Sequence, residues 1–167
     1  MTTQTSTFCK TCRKPKANFN CGPCQEAVCK SCAQFLEEGS FSFLVKVPEV
    51  LSHSVYCSHC HDEYVAGPLQ DYQETMREAK EVIFFTKDKS KLTGHLKRKE
   101  DPLIIEDCED EEETVLRLAF LAAQGKFNCL LDVSISHRKI IVGSHKKTIF
   151  SGSGVPTNID PSKVREY

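Results

Sequence analysis

The alternation of apolar and polar positions divides the chain in two. From about residue 68 onward the pattern is regular. Pro68 opens a predicted helix with Leu69, Tyr72, Met76 and Ala79 on one face, and Asp71 and Glu74 near its positive end. Val82-Ile83-Phe84-Phe85 and Pro102-Leu103-Ile104-Ile105 are short apolar runs that predict strands. Between them the basic segment Lys87 to Lys99 carries no interleaved aromatic residue for base stacking, and a solvated loop or hairpin is expected there.

The acidic stretch Asp107 to Glu113 then leads into an apolar run. Asp110 as N-cap with Glu113 three residues on predicts a capping box, and the neighbouring carboxylates oppose the helix dipole. The helix that follows, residues 111–124, is apolar nearly all round and broken only by Arg117, with Gly125 expected as its left-handed stop. A helix of that kind has to be covered on more than one side, by a sheet and by something else, such as a second copy of the chain. Leu131, Val133 and Ile135 alternate with polar residues as a strand with one wet face, and residues 140–142 continue it. A turn at 143–147 and a last strand at 148–151 follow, ended by Gly152-Ser153-Gly154. This order predicts a small α+β sandwich with one long apolar helix.

The first part has far less pattern. Ala33-Gln34-Phe35-Leu36 reads as a helical turn, residues 37–40 as a break, and residues 41–47 as a strand ended by Pro48. The expected organisation is a flexible tail at 1–8, a finger at 9–66, a linking helix at 67–81, an α+β domain at 82–160 and a tail at 161–167.

Composition changes this picture in one respect. Lys and Arg total 22 against 23 Asp and Glu, so the net charge of −1 does not suit a protein built mainly to neutralise phosphates. No apolar run approaches the ~20 residues that span a bilayer. Cysteine, however, occurs 10 times, and eight of these fall as C-x-x-C pairs: Cys9/Cys12, Cys21/Cys24, Cys29/Cys32 and Cys57/Cys60. Two thiolates two residues apart can both face one ion, and tetrahedral zinc takes four, so four pairs predict two closed structural zinc sites. Disulfides require an oxidising compartment, whereas the opening MTTQTSTFCK lacks an apolar export core, so a reducing, cytoplasmic setting is expected. A thiol redox centre needs one pair, not four in tandem.

Eight cysteines with four residues between the second and third pairs resemble the FYVE-type zinc finger. That resemblance implies interleaved pairing, with Cys9, Cys12, Cys29 and Cys32 on one ion and Cys21, Cys24, Cys57 and Cys60 on the other. Spacing alone leaves sequential pairing open, Cys9/12/21/24 and Cys29/32/57/60, since the loop 13–20 forbids neither. FYVE fingers that read phosphoinositides carry arginines and histidines around the third cysteine. Here that stretch is Ala17-Asn18-Phe19-Asn20-Cys21-Gly22, so the scaffold is expected without the lipid site. PHD fingers have a histidine fifth ligand where this chain has Cys29. RING fingers leave one residue between third and fourth ligands, not the two of Cys21-Gly22-Pro23-Cys24. His53, His59 and His61 lie beside the last pair and are expected outside the metal shells.

In the second half, residues 122–131 with Gly152-Ser153-Gly154 resemble small bacterial domains of the YbjQ type, which are described as heavy-metal-binding and form rings; no residue role is carried over. Cys108 and Cys129 stand alone, with only His137 near Cys129 in sequence, and no catalytic motif is present. The functional expectation is a non-catalytic protein-interaction module with two structural Zn²⁺, a protein partner, and self-association through the 111–124 helix. The alternatives are binding of an anionic or phosphoinositide surface by the finger, or RING-like recruitment of a ubiquitin enzyme. Nucleic acid is not an expected partner.

Overall fold

In a computed structural model, residues 8–89, 91 and 93–166 are described, without side chains from 164 on. The expected tail at 1–8 lies outside them except for Phe8, which bridges to Pro15. The chain is a mixture of helix and sheet and divides into two compact units between Gln73 and Glu74. Among the described residues no helix is long and apolar enough to cross a membrane.

The first unit has little regular structure. Strand β1 (Phe19–Asn20) pairs with β2 (Ala27–Val28), and β3 (Ala33–Phe35) with β4 (Val55–Cys57), both antiparallel. The helical turn expected over 33–36 is therefore a strand. Pairing Ala33 opposite Cys57 zips the third cysteine pair to the fourth, a long-range demand that local propensity does not register. The strand expected over 41–47 is absent too. Residues 38–46 are successive turns, with Ser42 donating to Gly39 O and Leu44 to Phe41 O. The period-2 apolar pattern there has no partner strand. Instead Phe41 is buried edge-on against Tyr72, at 5.4 Å between centroids, while Val45 stays 86% exposed.

Helix α1 (Ser58–Cys60), a π-helical turn (His61–Val65) and α2 (Ala66–Ala79) run on as one helical rod. Pro68 therefore lies inside a helix instead of opening it, and Asp71 and Glu74 are mid-helical. Proline has no N–H to give to the carbonyl four residues back and crowds it, and the wider π turn just ahead relieves both problems. Leu69 and Tyr72 pack on the first unit's core of Val28, Phe41, Leu51, Tyr56 and Val65.

The second unit is a four-stranded sheet in the order β5-β7-β8-β6, where β5 is Ile83–Thr86, β6 Leu103–Cys108, β7 Cys129–Val142 and β8 His145–Thr157. Strand β5 runs parallel to β7; the other pairings are antiparallel. Helix α3 (Glu111–Gln124) packs on this sheet with Thr114 and Leu118 over Gly152, and its Leu118, Phe120, Ala122 and Ala123 are buried. Its start follows expectation at Asp110, whose side chain accepts from the Glu113 N–H at 2.7 Å. Glu113 reaches one residue further than a capping box requires, accepting from the Glu109 N–H, and that hydrogen bond with the nearby Arg117 holds its carboxyl below the usual range.

Its end departs from expectation. Gly125 has φ −78°, and the left-handed residue is Lys126 at φ 62°. Lys126 N–H bonds Ala123 O and Phe127 N–H bonds Ala122 O, which is a Schellman arrangement one residue later than read from sequence. Strand β8 also runs through Gly152-Ser153-Gly154 instead of ending there. Gly152 lets α3 approach the sheet: a Cβ there would stand 2.7 Å from Thr114 Cγ2 and 2.9 Å from Leu118 Cδ1, whereas one on Gly154 would meet Val133 and Leu130 of β7.

The basic segment is not simply solvated. Arg98 pairs with Asp132 through two hydrogen bonds and also donates to Thr93 O and Leu96 O, so it ties the segment to β7. Asp132 sits at a bulge in β7 with φ 53°, and the guanidinium keeps its carboxyl below the ordinary carboxylate range. The tail expected at 161–167 begins with a 3₁₀ turn, Pro161–Glu166.

Two glycine substitutions should separate these environments. Gly152→Ala forces α3 off the sheet and should destabilise the second unit by about 1–3 kcal/mol. Gly67→Ala meets nothing within 4 Å in α2. It should stabilise by about 0.5–1 kcal/mol. Urea unfolding midpoints of the metal-loaded protein measure both.

Candidate metal centres

Each C-x-x-C pair is shaped by its own backbone turn. The Arg13 N–H bonds Cys9 O, the Gln25 N–H bonds Cys21 O, and the Ala33 N–H bonds Cys29 O, the same four-residue closure three times. Arg13 and Gln25 take positive φ, 60° and 59°, to turn the chain away behind the second cysteine of each pair. The fourth pair uses a helix start: Cys57 caps α1, its sulfur accepting from the Cys60 N–H at 3.4 Å.

These turns gather the eight sulfurs into two groups. Cys9, Cys12, Cys29 and Cys32 form one, and Cys21, Cys24, Cys57 and Cys60 the other, with the sulfurs of each within 4.8 Å of one another. The grouping is the interleaved one; sequential pairing is not seen. The dimensions suit zinc. Four sulfurs about 2.3 Å from a tetrahedral ion stand about 3.8 Å apart. Cys12 and Cys29 are separated by 3.7 Å, Cys24 and Cys57 by 3.9 Å. Each cluster could hold one metal ion.

The thiols are electrostatically uneven. Hydrogen bonds from the backbone at Cys12 and Cys29 outweigh burial and lower the Cys9 pKa to about 6. Cys32 is raised to about 12, chiefly by the neighbouring sulfurs of Cys29 and Cys12. Burial, followed by its cluster neighbours, pushes Cys60 up. Four thiolates this close repel one another, and a divalent ion is the natural means of keeping them together.

Lys10 is a participant that sequence reading missed. Its ammonium lies 4.0 Å from the Cys24 sulfur and 3.7 Å from Glu26. Partial burial works against its charge, but Cys24 and Glu26, then Cys57 and Cys60, outweigh that and raise its pKa. Lys10 sits within the first pair yet faces the other cluster, so only the interleaved geometry reveals it.

The remaining candidates fall outside the clusters. His53 and His61 both lie edge-on to Tyr56, and His59 pairs with Glu63 at 3.3 Å. Tyr56 itself is a buried knot, donating to Val50 O and accepting from the His53 N–H. The stretch 17–22 holds β1 and no cation, and Arg13, Lys14 and Lys16 are exposed. Cys108 and Cys129 are buried, and burial raises the Cys129 thiol to about 11. His137 is eight positions along β7 from Cys129, roughly 26 Å at the rise of a strand, so the two form no dyad.

The chain matches no protein-family model, no curated protein and no solved structure.

Replacing Cys12 or Cys24 by Ser should each lower bound zinc from two ions per chain toward one and open the first unit to protease, whereas Cys129→Ser should leave both ions in place. Metal analysis with limited proteolysis reads this out. Metal and protons compete for the thiolates, so zinc should be held at neutral pH and released on acidification, destabilising the first unit as pH falls.

Proposed function

We propose that this chain is a zinc-binding, non-catalytic protein-interaction module in which two structural Zn²⁺ ions, held by Cys9, Cys12, Cys29, Cys32 and by Cys21, Cys24, Cys57, Cys60, build a recognition surface. The observation that carries the reading is the make-up of the two clusters. Each brings together four cysteine sulfurs, a complete tetrahedral set, which leaves no open position for a substrate or an activated water. Ions bound this way order the backbone without taking part in a reaction.

The surface they order supports recognition. Phe35 is 52% exposed on β3, edge-on to Phe19, and from the next residue on Leu36, Phe41, Val47 and Leu51 line a cleft of about 440 Å³ edged by Glu37 and Glu38. An apolar floor under carboxylates fits a peptide that offers an aliphatic or aromatic anchor next to a basic residue. No lysine or arginine lines that cleft, which His53 shares with Glu37 and Glu38, and this weighs against an anionic-surface role for it.

Pull-down of interacting proteins should yield a partner with the intact zinc-loaded chain and lose it after chelation or with Phe35→Ser. Capture that is unchanged by chelation would overturn the role given to zinc. Capture that survives chelation-resistant folding but not Phe35→Ser would leave the surface and remove the metal from the account.

A further inference from the structure

Two surfaces of the second unit stand without a partner in the described chain, and their chemistries are opposite. The first is the end of the β7–β8 ribbon. Register with β5 reaches only to Val133 on β7, and register with β6 begins at Phe150 on β8. Beyond those points the two strands pair only with each other, up to the turn at Gly143 and Ser144. At the tip Ile141 is 75% and Val142 57% exposed. Residues 137–147 include Arg138, Lys139, Lys146 and Lys147 and no carboxylate. Arg138 and Lys147 pair with Asp107 and Glu109. Lys139 and Lys146 share a face with Ile141 by register and form no ion pair among the described residues.

The second surface is a groove of about 550 Å³ floored by Phe84, Val115 and Leu116 and rimmed by Glu111 and Glu112, with Lys80 on the other side. Glu109 and Glu113 are paired with Lys147 and Arg117; Glu111 and Glu112 have no such pairing among the described residues. This is the side of α3 that the sheet leaves uncovered.

We infer that the aliphatic, lysine-flanked tip of the β7–β8 ribbon of one copy docks into the apolar, glutamate-rimmed groove beside α3 of another. Ile141 leaves water for the floor of Phe84, Val115 and Leu116, while Lys139 and Lys146 on the same face meet Glu111 and Glu112, and Val142 follows at the end of the ribbon. Edge protection by charge accounts for lysines on an unpaired ribbon but not for two bare aliphatic residues beside them. An anionic lipid surface would suit the tip and leave the groove uncovered. Pairing of two α3 helices face to face would cover the groove and bring Glu111 and Glu112 of both copies together. Tip-in-groove contact satisfies both surfaces at once. It is heterologous, with different patches on the two copies, so it repeats until a ring closes or the protein runs out. A ribbon tip buries less than the ~1,200–2,000 Å² of a stable interface, so the association is weak and concentration-dependent.

Sedimentation velocity of the zinc-loaded full chain, from low to several hundred micromolar, tests this with two variants. Ile141→Asp/Val142→Asp removes the tip, and Glu111→Lys/Glu112→Lys reverses the rim; circular dichroism and zinc content confirm that each is folded. The wild type should associate as concentration rises, and each variant alone should weaken association at least tenfold. An equimolar mixture of the two should give a heterodimer and nothing larger, because one intact tip meets one intact groove. A wild type that stays monomeric overturns the proposal. So does a tip variant that associates like the wild type, or a mixture that remains monomeric. Tip-dependent binding to phosphatidylserine vesicles without self-association overturns it in favour of a lipid surface.

Discussion

The first unit depends on drawing sulfurs from distant segments into the same two small volumes. Cys9 and Cys12 meet Cys29 and Cys32, and Cys21 and Cys24 meet Cys57 and Cys60, so each cluster encloses part of the other's loop. Neither can be released without loosening the other. The strands between them are two or three residues long, far below what stands alone in water. The apolar core is correspondingly small, with Val28, Phe41, Leu51, Tyr56 and Val65 as its main side chains. Structural zinc in small fingers contributes on the order of 10 kcal/mol or more at neutral pH, comparable to the whole stability of an ordinary domain. Most of the remaining detail serves that crossing: αL turns at Arg13 and Gln25, the β3–β4 zipper, the Tyr56 knot, and Lys10 opposing the negative charge of the second sulfur cluster.

The second unit solves the same problem with close packing and no metal cluster among its described residues. Helix α3 presents Thr114 and Leu118 to Gly152 of β8, so the helix lies close on the sheet, and Phe120, Ala122 and Ala123 are buried along with Leu118. A long charged side chain handles the outer connection, since Arg98 gathers its own loop and Asp132 into one network. Dense packing of this kind tolerates volume changes poorly, whereas the first unit is sensitive mainly to its ligands.

How much of this could be read from the chain follows from the range of the interactions. The cysteine pairs were legible because a pair is local, and the start of α3 was legible because its cap at Asp110 and its apolar run are local as well. The interleaved pairing came from resemblance, not spacing, because which pair meets which is a long-range matter. The same reason explains the misreadings. Ala33 to Phe35 become a strand only when Cys57 arrives beside them, and residues 41–47 fail to become one because nothing arrives. Pro68 signals a helix start in isolation but is carried inside a helix that begins at Ser58, because the π turn before it accommodates the ring. Gly152 and Gly154 look like a terminator, but Gly152 is a landing place for α3 and Gly154 makes room for Leu130 and Val133 of β7. Glycine's two uses, turning a chain and admitting a neighbour, have the same local signature and differ only in what stands opposite.

The same distinction bears on function. A reactive centre needs groups brought within hydrogen-bond distance of each other and kept accessible. Among the described residues the groups with such chemistry are gathered as candidate metal ligands or stand apart. Eight thiols sit in two sets of four that could each hold a metal ion, Cys129 is buried with its proton held more tightly than usual, and His137 lies far along the same strand. What the fold leaves facing water instead are apolar residues beside fixed charge: Phe35 and the Glu37–Glu38 cleft in the first unit, Ile141 with its lysines and the α3 groove in the second. Exposed apolar surface next to charge is unfavourable for a monomer and favourable for a complex, because contact removes the first from water and matches the second. The proposed recognition role rests on this placement, a scaffold shaped around its cysteine clusters with apolar surface turned outward beside charge.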